Sequence, residues 1–205
     1  MTPLKLIILD RDGTINEDRD DYVKSPDEWV PIPGALEAIA RLNHAGWHTV
    51  VATNQSGLAR GLLNMATLNA IHARMHRELA ALGGRIDAVF FCPHGPDDGC
   101  ACRKPLPGLF TMIGERYGVS LRETYAIGDS LRDLQAGVAA GCAPHLVRTG
   151  KGAALDSAAL RAIVKEVPHA TVHADLAAFA QQLIQRERHQ RGDADEADSV
   201  FVRLQ

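Results

Sequence analysis

Aromatic residues are scarce: five Phe, three Tyr and two Trp make up 5% of 205 residues. The core must therefore be mainly Leu, Ile, Val and Ala, and scattered aromatics offer no stacking groove for single-stranded nucleic acid. An excess of either charge is also lacking. The 22 Lys+Arg against 25 Asp+Glu give a formal net charge of −3. Such a chain has no global attraction for nucleic acid or an anionic membrane, so neither partner is expected. No apolar run approaches the roughly 18 residues of a membrane span. The apolar stretch Leu4 to Leu9 is short, enters Asp10 directly and lacks cleavage-like small residues after it. It does not read as a secretory signal, and the cytoplasm is the expected compartment. Only four cysteines occur, three of them crowded between Cys92 and Cys102. In a reducing compartment such crowding suggests metal before disulfide, and the isolated Cys142 suits the core.

What is present is ordinary globular material, 46% hydrophobic and 23% charged, long enough for one or at most two domains. Apolar runs predict strands over 4–9, 47–52, 88–92, 124–127, 143–147 and 171–173. Helical spacing predicts helices over 34–45, 65–82, 107–117, 131–140 and 176–188. This alternation predicts an α/β three-layer sandwich around a mainly parallel sheet. No internal repeat is visible. Residues 1–185 read as one folded domain. The highly charged 186–205 read as a tail, in which Val200-Phe201-Val202 is the one segment suited to docking.

In open parallel sheets ligands bind beyond the carboxyl ends of the strands. Four such ends carry chemistry here: Asp10-Arg11-Asp12-Gly13-Thr14, Thr53-Asn54-Gln55-Ser56-Gly57, a cysteine loop ending in Arg103-Lys104, and Gly128-Asp129-Ser130. Carboxylates, a hydroxyl and a lysine are the inventory for phosphate plus a divalent cation. Asp10 and Asp12, two apart, can divide a reaction between nucleophile and proton carrier. Taken singly, each segment has a plainer reading: a polar turn for Asp10–Thr14, a helix cap for Thr53-Asn54, a solvated surface charge for Lys104. Complementary chemistry at four separate ends is harder to explain that way. In the cysteine loop, Cys92, His94, Cys100 and Cys102 form a closed N/S set without an open position, which predicts a structural zinc. Zinc there would pin the loop presenting Arg103 and Lys104. His72 and His76, four apart on one helix and without a third ligand, read as a solvated face.

These segments, with Asp133, resemble in order and placement the four motifs of haloacid dehalogenase-type phosphohydrolases, over about residues 4 to 150. The resemblance implies Asp10 as nucleophile forming an aspartyl-phosphate and Asp12 as the proton carrier. It implies Mg²⁺ held by Asp10, the Asp12 carbonyl and Asp129, with Thr53 and Lys104 steadying the transferring phosphoryl group. The zinc loop is similar to those of two families, the D-glycero-D-manno-heptose-1,7-bisphosphate 7-phosphatases of lipopolysaccharide heptose synthesis and the histidinol-phosphatases. Thr53 to Gly61 and Leu146 to Lys151 resemble the heptose enzymes, and that reading is adopted. It implies a monomeric, Mg²⁺- and Zn²⁺-containing phosphatase. The small sugar bisphosphate would be contacted by Asp18, Tyr22, Asn54, Gln55, Ser56, Arg60 and Arg103. Some relatives have Lys where this chain has Ser130, which removes a cation from that corner. Only about twenty residues separate Asp12 from the helix near Gly34, too few for an independent core, so no separate cap domain is expected. Arg103 and then Arg60 are the expected partners of a second phosphate. The competing readings are a histidinol-phosphatase, a nucleic-acid 3′-phosphatase or binding module, and a zinc-stabilised protein without activity.

Overall fold

The computed structural model describes residues 4–202, with side-chain surroundings for residues 4–190. Leu6–Leu9 (β1) is apolar throughout and buried on both faces, the signature of a central parallel strand. Its neighbours are His48–Asn54 (β2) and Tyr125–Gly128 (β4), both parallel to it. Ala88–Cys92 (β3) flanks β2, and Ala143–Val147 (β5) and Thr171–His173 (β6) extend the other side. The six-stranded order is β3-β2-β1-β4-β5-β6, all parallel. The chain reverses its direction of growth between β1 and β4, where a ligand crevice is expected.

Alternation along β1 builds the two outer layers. Ile7 and Leu9 join a core with Ala35–His44 (α1), Met65–Ala81 (α2) and Leu176–Val202 (α7). Leu6 and Ile8 face the opposite way, onto Gly108–Tyr117 (α3) and Leu131–Ala140 (α4). A small third cluster joins Leu134 of α4, Leu146 of β5 and Ile163 of Ser157–Glu166 (α6, the short helix α5 spanning Gly150–Ala153). Every cluster belongs to this sandwich. Residues 10–34, which follow the central strand, form turns, isolated bridges and one short 3-10 turn (Pro26–Glu28), and their Ile15, Val23 and Trp29 pack into the main core, so no separate cap is evident among the described residues.

The differences from the sequence expectation are local. β1 begins at Leu6 rather than Leu4, and β2 runs on to Asn54. Thr53 and Asn54 pair in register with Phe91 and Cys92, so they end a strand rather than cap a helix. The helix α6, with its Asp156 side chain accepting from Ala159 N at 2.7 Å, was not expected. Its Leu160 and Ile163, with Val167 just after it, stand at helical spacing and pack with Leu134 and Leu146, so this helix carries a readable apolar stripe. The helix α7 continues unbroken through Arg186, where the tail was expected to start, and Lys5 Nζ meets Glu187 at 2.6 Å. The side chains of Val200-Phe201-Val202 lie outside the described residues. Cys142 is buried, as expected.

A buried histidine pair joins β5 to β6: His145 Nδ1 and His173 Nε2 are 2.8 Å apart, with the rings stacked beside Tyr125 and Phe179. Burial, then the adjacent His173 and Arg186, push the His145 imidazole down to about 3. The unfolded chain takes up this proton near pH 6.5, whereas the folded chain refuses it until about pH 3. Stability from this site is therefore fully present above pH 6.5 and lost as pH falls toward 3. Melting curves of the parent should fall by roughly 2–4 °C per pH unit more steeply between pH 6 and 4 than those of His145→Phe. Parallel curves would show that the pair does not carry the acid sensitivity.

Candidate active site

Leu9 is level with Val51 of β2 and with Ile127 of β4, so β1 and β4 leave the sheet within one residue of each other while β2 runs three residues further, to Asn54. Asp10 continues the ladder through its N–H to Ile127 O at 2.8 Å. The Arg11 carbonyl then accepts from the N–H groups of Thr14, Ile15 and Asn16, folding the next residues into a tight turn. Gly13 adopts φ +82°, and a Cβ there would stand 2.0 Å from Asp129 Oδ2. Gly150 meets the same atom from the other side, at 2.3 Å from its would-be Cβ. These two glycines let the backbone close around Asp129.

Asp10, Asp129 and Asp133 present carboxylate oxygens within 4.8 Å of one another. One cation lies among them: buried Lys104 Nζ, 2.8 Å from Asp10, 2.6 Å from Asp133 and 2.8 Å from Ala52 O. Half-buried Asp10 and buried Asp129 and Asp133 thus share, among the described residues, one directly paired ammonium, while the charges of Lys151 and Arg132 act on Asp129 and Asp133 from further off. Burial, and then the charges of Asp10 and Asp133, push the Asp129 carboxyl well above the usual carboxylate range. Burial also raises Asp10, against the pull of Lys104. For Asp133, Lys104 and the Ser130 hydroxyl outweigh burial and hold it low. The oxygens of Asp133 are already committed, one to Lys104 and the other to Ser130 N at 3.0 Å and Ser130 Oγ at 2.6 Å. Asp129 Oδ2 accepts from Lys151 N at 2.7 Å. Asp10 Oδ1 accepts from Arg11 N and meets Lys104. Among the described residues this leaves Asp10 Oδ2 and Asp129 Oδ1 without a protein partner. Hard oxygen donors carrying unbalanced negative charge suit Mg²⁺.

Asp12 projects away from that cluster. Its carboxylate takes N–H bonds from Arg11 (Nε 3.0 Å, Nη2 2.8 and 2.9 Å), Asn16 Nδ2 (2.9 Å) and Gln55 Nε2 (2.8 Å). Burial would raise this acid, but Arg11, Asn16 and Gln55 together hold it below its ordinary value.

Asp10, Asp12, Gln55, Lys104 and Asp129 line a cleft of about 270 Å³, with Asp133, Arg11 and Asn16 behind them. Of the residues picked from sequence, Asp10, Asp12, Asp18, Tyr22, Thr53, Asn54, Gln55, Ser56, Arg103, Lys104 and Asp129 all reach it. Arg60 does not; its guanidinium lies 6.0 Å from the centre of the Tyr22 ring. Several lining residues already have protein partners. Asn54 both donates to Lys104 O and accepts from Lys104 N at 3.1 Å, bracing the end of β2 against the cysteine loop. Gln55 serves Asp12 and Thr53 Oγ1. Asp18 is paired with Lys151. Lys151 and Arg132 also line the cleft, in addition to the contacts expected from sequence. Where Ser130 offers no charge, Arg132 supplies a cation two residues on. His72 corrects the expected solvated face: it is buried, with Nε2 3.2 Å from Arg11 Nη1, whereas His76 is exposed. It belongs to the Leu68, Ile71, Met75, Leu79 stripe, a signal that the 72/76 spacing obscured.

The cysteine loop gathers Cys92, His94, Cys100 and Cys102. Cys92 Sγ lies 3.2 Å from Cys102 Sγ and 3.6 Å from Cys100 Sγ, and His94 Nδ1 lies 3.3 Å from Cys102 Sγ. These distances are far beyond a disulfide bond of about 2.05 Å. They approach the edge, about 3.8 Å, of a tetrahedron with Zn–S bonds of about 2.3 Å. Arg103 Nη1 donates to His94 O at 3.1 Å, which fastens the cleft's arginine to this cluster.

A family profile described as HAD-hydrolase-like matches residues 101–179. The D-glycero-beta-D-manno-heptose-1,7-bisphosphate 7-phosphatase of Bordetella bronchiseptica is 61% identical over 185 residues, covering 89% of this chain and 99% of that protein. The enzyme of the same name from Pseudomonas aeruginosa is 53% identical, covering 88% and 98%. A crystal structure of the D,D-heptose 1,7-bisphosphate phosphatase from B. bronchiseptica, complexed with magnesium and phosphate, superposes with a TM-score of 0.82 at 59% identity, covering 89% and 99%. No helix among the described residues is long and apolar enough to cross a membrane.

Proposed function

Because the chain belongs to the D-glycero-β-D-manno-heptose-1,7-bisphosphate 7-phosphatase family, we infer that it is the phosphoric monoester hydrolase that removes the 7-phosphate of that sugar. The observation that carries the reading is Asp10, backed by Lys104, facing Asp129 at the crevice between β1 and β4. Asp10 attacks phosphorus in line, the bond from phosphorus to the sugar O7 breaks, and Asp12, which the negative charge of the bound phosphate shifts toward its protonated form against the hold of Arg11, Asn16 and Gln55, gives its proton to the departing alkoxide. Asp12, now a carboxylate, takes a proton from water, which attacks the aspartyl-phosphate and releases phosphate and Asp10. Lys104 and Thr53 offset charge on the phosphoryl oxygens. Asp10, the Asp12 carbonyl and Asp129 would hold Mg²⁺, the ion of the B. bronchiseptica complex, which would draw charge from the phosphoryl oxygens. Arg103, on the rim and tethered to the zinc loop, is the proposed partner of the 1-phosphate. A cytoplasmic, monomeric enzyme fits thiols left unpaired and a self-contained site.

Initial rates with Mg²⁺ on both anomers of the heptose bisphosphate and on histidinol phosphate test the reading. The kcat/KM should favour a heptose bisphosphate by roughly a hundredfold or more. A preference for histidinol phosphate would reassign the enzyme. The zinc reading predicts about one Zn²⁺ per chain in protein prepared without chelators. Cys100→Ser should lose that metal and weaken turnover through Arg103 and Lys104. Metal-free parent protein with full activity would leave zinc no part in presenting these two residues.

A further inference from the structure

Arg11 is the residue between the two catalytic aspartates, and its side chain is completely buried. Its guanidinium grips both oxygens of Asp12 through Nε and Nη2. A clamp of this kind fixes a carboxylate only if the guanidinium is itself fixed. Nη1 points away from Asp12 and meets His72 Nε2 at 3.2 Å. Arginine is always a donor, so Nε2 must be the acceptor, and His72 must be neutral with its proton on Nδ1. Burial first, and then the charges of Arg11 and His76, push the His72 imidazole down to about 4, so that form persists at neutral pH. The helix α2 holds His72 rigidly, because its neighbours Leu68, Ile71 and Met75 are fully buried.

We propose that His72 is a positioning residue for the proton transfer, anchoring Arg11 so that the Asp12 carboxyl stays aimed at the leaving oxygen. The inference rests on the reading of Asp12 as proton carrier. In that step the Asp10–phosphorus bond forms, the phosphorus–oxygen bond breaks, and the departing oxygen takes the proton of Asp12. An Asp12 that swings freely leaves attack by Asp10 intact but delivers the proton poorly. The defect should therefore depend on how much the leaving group needs a proton.

The test is single-turnover kinetics of His72→Leu and His72→Gln on two substrates. The sugar bisphosphate leaves as an alkoxide and needs the proton; p-nitrophenyl phosphate leaves as a stable phenolate and does not. His72→Leu should release the sugar roughly 10- to 100-fold more slowly. Release of p-nitrophenol should change by less than about threefold, and KM for the sugar should be unchanged, since Asp10 and Lys104 still bind and attack. His72→Gln, whose amide oxygen can accept from Arg11, should recover most of the sugar rate. Thermal melts confirm that both variants fold, and Asp12→Asn is the control. Should Asp12→Asn discriminate between the substrates while His72→Leu loses on both equally or on neither, the positioning role is overturned. Failure of His72→Gln to recover the rate would also overturn it. If Asp12→Asn itself does not discriminate, the proton-carrier reading fails and takes this inference with it.

Discussion

Asp10→Asn is expected to lower phosphate release on the order of 10⁴-fold while leaving the fold intact. The amide keeps the shape of the carboxylate and an oxygen to accept from Lys104, 2.8 Å away, so packing does not change. What disappears is the proposed nucleophile, and its neighbours are engaged elsewhere, Asp129 at the proposed Mg²⁺ position. Asp133 is held by Lys104 and Ser130, and Asp12 by Arg11, Asn16 and Gln55. The substitution also removes one of three crowded buried carboxylates. Melting without Mg²⁺ should therefore be unchanged or slightly higher, an instance of a site that favours chemistry over stability. Phosphate release within tenfold of the parent would remove Asp10 from the nucleophile role.

Lys104→Met should damage both activity and stability. Among the described residues its ammonium is the one cation paired with Asp10 and Asp133, and it is buried. Methionine fills a similar volume but leaves Asp10 and Asp133 uncompensated, a loss of about 3–5 kcal/mol for a broken buried pair. Melting should drop by roughly 6–20 °C. Turnover should fall roughly 10²–10³-fold, the usual cost of removing one preorganised partner of the reacting oxygens. Asp133→Asn should show far less of the activity loss, because Lys104 keeps its contact with Asp10. A Lys104→Met protein with parental melting and turnover would show that the cluster is neutralised in another way.

Much of this site was legible in the sequence because its parts sit at the ends of buried parallel strands. Such strands read as uninterrupted apolar runs, and the polar residues directly after each run build the site. The Cys/His cluster was legible for a related reason: three thiols and an imidazole crowded into one short loop are a set of soft ligands that suits Zn²⁺. What sequence concealed was how polar residues divide between substrate and scaffold. Asn54 and Gln55 follow a strand as a ligand-binding pair would, yet their amides brace Lys104 and Asp12. The same holds for His72, whose partner Arg11 is 61 positions away. Ser130 looks like a missing cation from sequence, whereas in the fold it holds Asp133 and Arg132 stands nearby at the cleft. Helix α6 was as legible as the others, with Asp156 as its cap and Leu160, Ile163 and Val167 at helical spacing.

³¹P NMR of the reaction with Mg²⁺ follows the two phosphates of the sugar separately and shows which one this cleft removes. The 7-phosphate resonance should give way to inorganic phosphate while the 1-phosphate signal persists to completion, and Asp10→Asn should leave both signals unchanged over the same interval. Loss of the 1-phosphate first, or persistence of both signals with active histidinol phosphate hydrolysis in the same preparation, would contradict the proposed function.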